Sequence, residues 1–218
     1  VFAGDLGVWH WSIRLTTVAN ATLFANFAPI FVTLGATVLF KERFSRIFLL
    51  ALAVAMCGAM ILMGTSSALG EAYIAGDILG ITAAVFYAAY LLSVGRLRAR
   101  YGVGVIMFWS CLSAAAVLLP VSLWAGESLL PATWTGWAVL IALAWVSHLG
   151  GQGLIAWALA HLSTALSSVS LLVQPVCAAM FAWVLFGEAL GPLQITGGLI
   201  VLSGIYLARR TSLPPVVR

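Results

Sequence analysis

Charged residues divide this chain into long apolar intervals. Positions 15–40, 47–70, 78–95, 101–126, 128–187 and 189–208 contain no Asp, Glu, Lys or Arg. An α-helix rises about 1.5 Å per residue and a bilayer's hydrocarbon layer is about 30 Å thick, so ~20 apolar residues cross it, and the longest interval needs two helices. Apolar runs, Gly/Pro clusters and Ser/Thr caps then place helices at about 1–14 (incomplete), 17–40, 46–64, 76–96, 104–125, 135–160, 162–186 and 192–209. Thr16 and Thr17 are placed to cap the helix after Arg14, and Ser163 and Thr164 the helix after His161. The expected fold is all-α, a polytopic helical membrane protein with eight membrane segments in this chain.

Composition agrees with that pattern. Of the 218 residues, 63% are hydrophobic and 7% charged, with a mean hydropathy of +1.13. A globular protein carries roughly 25% charged residues, so there is too little polar material here to coat a soluble domain. The net charge of +4 comes from cations in short loops, which form no face for nucleic acid. Their distribution reports topology instead. Alternating the loops puts Lys41, Arg43, Arg46, Arg96, Arg98, Arg100, Arg209, Arg210 and Arg218 on one side and Arg14 alone on the other. By the positive-inside rule the first group is cytoplasmic, as is the C-terminus. The loops with Glu71, Asp77, Glu127 and Glu188 then lie outside, with Trp124, Trp134 and Trp137 as an interfacial belt.

Sliding the chain against itself by 146 positions pairs Gly4 with Gly150, Gly7 with Gly153, Trp11 with Trp157, Pro29 with Pro175 and Gly58 with Gly204. The block Val38-Leu39-Phe40-Lys41-Glu42 falls on Val184-Leu185-Phe186-Gly187-Glu188. Because Glu42 was placed inside and Glu188 outside, the two copies have opposite orientation, which requires an odd number of helices per copy. Five fits. Residues 76–209 form a complete second repeat, 65–75 a linker, 210–218 a cytoplasmic tail, and 1–64 the last three helices of the first repeat. Projecting Gly76 back by 146 predicts that roughly 70 to 75 residues with two further helices precede Val1, for ten helices in all.

These residues resemble the EamA-type transporters of the drug/metabolite transporter superfamily. The resemblance rests on Thr17 to Asn20, Pro29, the VLFxE block and Gly58 in the first copy. In the second it rests on Gly76-Asp77, Ala83 to Ala88, Ser163 to Ala165, Pro175, Gly187-Glu188, Gln194, Gly197 and Gly204. Ala51 and Leu52 depart from it, standing where the second copy has Gly197 and Gly198. The resemblance implies two five-helix repeats that export small metabolites, often amino acids, across a bacterial inner membrane.

In inverted-repeat transporters the solute binds near the midplane, so polar groups at mid-helix depth are the candidates. Asn26 and Gln174 each lie mid-helix just before a proline, Pro29 or Pro175, whose missing N–H can free a carbonyl toward a cavity. The alternative for both amides is ordinary interhelical hydrogen bonding. His148 and Gln152 sit four apart beside Gly150, Gly151 and Gly153, a group that either lines a cavity or packs helices closely. Asp5 aligns with Gly151, inside the membrane, where a carboxylate is costly enough to suggest proton coupling. Tyr87, Tyr90 and Trp145 could form an aromatic wall or simply face lipid. Glu42 and Glu188 each precede a helix N-terminus, where the macrodipole stabilises a carboxylate, so a structural role is expected.

Cys57, Cys111 and Cys177 lie in apolar stretches without a CxxC partner and read as packing residues, so no disulfide, metal site or cofactor is expected. The chain contains no GxSxG, HExxH or P-loop, which argues against an enzyme and against ATP hydrolysis. The leading expectation is a secondary exporter of a small metabolite by alternating access, with lipid, the solute and a coupling proton as partners. A non-transporting membrane scaffold or sensor is the main alternative, and a membrane-embedded lipid enzyme is the weaker one.

Overall fold

The computed structural model describes residues 1–64, 70, 73–126, 129–187 and 189–211, and every regular element among them is helical. In chain order these are α1 (Phe2–Leu15), α2 (Val18–Ala25), α3 (Ala28–Phe40), α4 (Arg46–Gly64), α5 (Ile74–Leu97), α6 (Val103–Trp124), α7 (Trp134–Ala142), a π-helical segment (Leu143–Gln152), α8 (Gly153–Ala158), α9 (Thr164–Ser170), α10 (Val173–Phe186) and α11 (Pro192–Thr211). Glu71, Glu127, Glu188, Arg218 and most of the expected 65–75 linker lie outside the described residues.

Among the described residues six stretches are long and apolar enough to cross a membrane: Val18–Phe40, Arg46–Gly64, Ile74–Leu97, Val103–Trp124, Trp134–Ala158 and Thr164–Leu185. The first and last of the eight expected segments fall short of that standard. Helix α1 has 14 residues, about 21 Å of rise. Helix α11 places Arg209 and Arg210 in its last turn.

Two expected helices are broken at matching places. Residues 17–40 divide at Asn26–Phe27, just before Pro29, and residues 162–186 divide at Leu171–Leu172, just before Pro175. At each break the i−4 ladder gives way to i−3 bonds, Phe27 N–H to the Phe24 carbonyl and Leu172 N–H to the Val169 carbonyl. Proline causes this, having no N–H and clashing with the preceding turn. The Thr17 and Ser163 side chains cap the following helices, accepting from the Asn20 and Leu166 amides. Helices α3 and α10 both end in the left-handed region, at Lys41 (φ 56°) and Gly187 (φ 69°). In each of these pairs, Thr17 with Ser163, Pro29 with Pro175 and Lys41 with Gly187, the numbers differ by 146.

Helices α4 and α11 pack through glycine, backbone against backbone. A Cβ on Gly58 would lie 2.5 Å from the Val201 amide nitrogen, one on Gly204 2.6 Å from that of Ala55, and one on Gly197 2.6 Å from that of Leu62. Because the partner number rises on α4 as it falls on α11, the two helices run antiparallel. Interhelical association in a bilayer gains little from hydrophobicity and relies on such close approach.

Three expectations are refined or corrected here. Asp77 lies in the first turn of α5, which begins at Ile74 rather than Gly76, and its carboxylate accepts from Thr16 Oγ1 (2.8 Å) and Asn20 Nδ2 (3.1 Å), tying the α1–α2 corner to that turn. The buried Ser12 hydroxyl adds a 2.6 Å bond to the Gly76 carbonyl. Glu42 precedes α4, and the cap of that helix is Ser45, which accepts from the Phe48 amide at 3.1 Å. Cys57 is exposed rather than packed, and Cys111 meets a polar partner, His148 Nε2, at 3.1 Å.

Candidate functional site

A cavity of about 460 Å³ opens where α1, α2, α4, α5, α10, α11 and the π-helical segment meet. Asp5 and Trp9 face it from successive turns of α1, since residues four apart share a helix face. Asn26 enters from the end of α2, Tyr87 from α5, Gln152 from the π-helical segment, Gln174 and Pro175 from the start of α10, and Gln194 from α11. The apolar wall includes Leu62, Met63, Ala178 and Ala179.

Helix breaks put the two amides here. Asn26 sits at the end of α2 rather than mid-helix, and its Nδ2 donates to the Thr22 carbonyl (2.9 Å) and to Met63 Sδ (3.5 Å). Gln174 is exposed to the cavity. Behind them a void of about 20 Å³, room for roughly one water, is bordered by Asn26, Pro29, Tyr87, Ser168 and Gln174. Pro29 therefore stands behind the cavity. The carbonyl released by Pro175 is not free, because Leu171 O accepts from the Gln174 amide at 2.9 Å.

The Asp5 carboxylate has neither a hydrogen bond nor an ion pair among the described residues. The Tyr87 hydroxyl lies within electrostatic reach of Asp5 and beside the Gln152 amide. Gln152 Oε1 is buried without a hydrogen-bond partner. Such a group costs on the order of 1–3 kcal/mol until a ligand or water satisfies it.

Gln152 lines this cavity and His148 does not. One turn before Gln152, the His148 ring turns away, packing on Phe2 (5.3 Å between centroids) and bonding Cys111. Gly150 and Gly151 lie within the π-helical segment and Gly153 opens α8, so the glycine cluster coincides with a change of helical winding of the kind common at functional sites. Tyr90 is 5% exposed and stacks between Phe2 (4.7 Å) and Tyr87 (6.3 Å) outside the cavity. Phe2 and Tyr90 instead border a second cavity of about 470 Å³, together with Ser93, Tyr101 and Trp109. Trp145 is 69% exposed and turned outward.

Sequence reading missed Trp9, Thr22 and Met63 and took Gln194 only as part of a resemblance. The i, i+4 spacing of Asp5 and Trp9 was the one available signal. Gln194 has a second task, its Oε1 accepting from the Gly191 amide (2.9 Å) at the start of α11.

With this geometry described, comparison with known proteins decides the family: the profile of the EamA-like transporter family matches residues 74–210. The chain belongs to that family. It is 30% identical over 202 residues to the pseudopaline exporter of Pseudomonas aeruginosa, covering 92% of this chain and 69% of that protein. It is also 30% identical over 213 residues to a Streptantibioticus cattleyicolor protein named "Probable terminal-alkyne amino-acid exporter", covering 94% and 68%. A solved crystal structure shares the fold, with a TM-score of 0.82 over 95% of this chain and 74% of its own, at 19% identity. This EamA-like chain is thus a multi-pass helical membrane protein, and its relatives are named as exporters.

Proposed function

We propose that this EamA-like chain carries the solute site of a secondary transporter that exports a small amphipathic metabolite, an amino acid or a close derivative, by alternating access. The observation that carries the reading is the cavity itself. Asp5, Asn26, Tyr87, Gln152 and Gln174 come from five separate elements of an otherwise apolar chain and line one cavity. Polar groups in a bilayer are expensive and are retained where they serve solute or ion. The apolar wall of Leu62, Met63, Ala178 and Ala179 suits a side chain, and the amides suit its polar end.

Two inverted five-helix repeats supply the alternating motion in this reading. Supporting it are helix breaks, caps and left-handed ends at an offset of 146, and an antiparallel α4–α11 seam in which Gly58 meets Val201 while Ala55 meets Gly204. That reciprocity is what a two-fold axis produces. Asp5 is the coupling group for a proton, and the protein sits in the bacterial inner membrane with its C-terminus cytoplasmic, in keeping with the cation distribution.

The test is counterflow of radiolabelled amino acids into proteoliposomes holding the full chain. Saturable flux that falls in Gln174→Ala, at unchanged protein abundance, is expected. Unchanged flux in both Gln174→Ala and Asn26→Ala overturns the site. A flux indifferent to protonophore at every pH removes the proton from the scheme.

A further inference from the structure

The ionisable inventory of the cavity points to one chemical class of solute. Among its described lining residues are one carboxylate, Asp5, and four side-chain amides, Asn26, Gln152, Gln174 and Gln194, but no Lys, Arg or His. An anionic solute would therefore meet a negative group and no cation.

A carboxylate without partners, inside an apolar bundle, is unstable as an ion unless a positive charge joins it. Among the described residues no side chain supplies that charge at Asp5. An alkylammonium group does, with three N–H donors and a charge-assisted hydrogen bond of about 2.7–2.9 Å. One turn along the same helix, Trp9 faces the same cavity. An indole is the best aromatic partner for a cation, and in a desolvated site the contact adds to the ion pair. Carboxylate and indole together form a receptor for an amine, built on one face of α1.

We infer that the Asp5–Trp9 face of α1 recognises the free amine of the solute, so that the cavity takes small primary amines and zwitterions and rejects anions and N-acylated analogues. This rests on the transport reading above for the word solute, though the recognition itself is a binding property. In a zwitterion the carboxylate is left to the side-chain amide N–H donors of the lining, Gln174 among them, and the apolar portion meets Met63 and the alanines of α10. Acylation removes the charge and two of the donors, and so removes the interaction with Asp5.

Isothermal titration of the full chain in nanodiscs with four probes sharing one phenylethyl body tests the inference. The probes are phenethylamine, L-phenylalanine, 3-phenylpropionate and N-acetylphenethylamine, so the apolar contribution stays constant. The first two are expected to bind at least ~10-fold tighter than the last two. Asp5→Asn should shrink that preference to within ~3-fold, Asp5→Glu should keep it, and Trp9→Leu should weaken the amines alone. Equal binding of 3-phenylpropionate and phenethylamine by the unaltered protein overturns the inference without any variant, as does an undiminished amine preference in a folded Asp5→Asn protein. Flux of the same probes into proteoliposomes separates the two readings. Amine-selective binding without flux defeats transport and sustains the amine site, whereas flux with an anion preference sustains transport and defeats the amine site.

Discussion

Gly58 and Gly204 face each other's helix across the α4–α11 seam, Gly58 against the Val201 backbone and Gly204 against the Ala55 backbone. The two contacts match in number, since 55 and 201, like 58 and 204, differ by 146. Backbones this close leave no room for a Cβ, so neither residue can change without parting the helices.

Gly204→Leu should therefore open the seam. Inserting a bulky side chain into a filled contact costs about 1–3 kcal/mol, and here the obstacle is rigid backbone rather than a side-chain tip. Thermal unfolding in detergent, followed by tryptophan fluorescence, should show a lower midpoint for Gly204→Leu and Gly58→Leu. Cys57→Leu, on the exposed side of the same helix, should leave it unchanged; a parallel drop there would mean that the method reports something other than the seam.

The Asp77 node makes a separate stability prediction. Asp77→Ala removes the acceptor of the buried Thr16 hydroxyl and one bond of the buried Asn20 amide, and should cost about 1–3 kcal/mol. Asp77→Asn retains an acceptor oxygen and should cost less. If the two variants unfold together, the bonds to Thr16 and Asn20 are not what Asp77 contributes.

Lys41 holds a left-handed conformation that its counterpart Gly187 adopts freely. An L-residue there is strained by roughly 1 kcal/mol, so Lys41→Gly should stabilise the protein by up to that amount and Gly187→Ala should destabilise it. The same unfolding measurement checks both signs, and a Lys41→Gly protein less stable than the parent would contradict the assignment of strain.

The two cavity amides should behave differently from one another. Asn26 bonds Thr22 and Met63, so Asn26→Ala should lower stability by about 1 kcal/mol as well as transport. Gln174 is exposed to the cavity, so Gln174→Ala should reduce transport ~10-fold with little change in unfolding midpoint. A Gln174→Ala protein that unfolds early but transports normally would assign that amide to structure.

The aromatic candidates divide in the same way. Tyr87→Phe removes a hydroxyl beside Asp5 and Gln152 and should reduce flux, while Trp145→Ala, turned outward, should not. Loss of flux in Trp145→Ala with normal membrane abundance would place that face of the helix against something other than lipid.

How much of this was legible from sequence follows from what a bilayer demands. Backbone N–H and C=O groups in hydrocarbon must be satisfied within their own segment, so apolar length and charge-free intervals dictate helices before any packing is known. The breaks at Pro29 and Pro175 were likewise local, since a missing N–H acts on its own turn. Polarity at mid-helix depth, conspicuous against an apolar background, singles out Asp5, Asn26, Tyr87, Gln152 and Gln174 in the sequence, and all five line one cavity. Which face each residue presents was decided only by tertiary contact. One turn of helix separates Tyr87 in the cavity from Tyr90 in the aromatic stack, and Gln152 from the His148 that meets Cys111. Met63 carries no mark in an apolar sequence, and Trp9 only its i, i+4 spacing from Asp5, because a side chain at a cavity and one against lipid obey the same composition. The opening of a helix at Asp77 was legible, but not its donors, Thr16 and Asn20, which lie 61 and 57 positions away in the sequence. Local chemistry set the helices and their ends; the cavity arose from the crossings of α1, α5 and α10, which no single segment encodes.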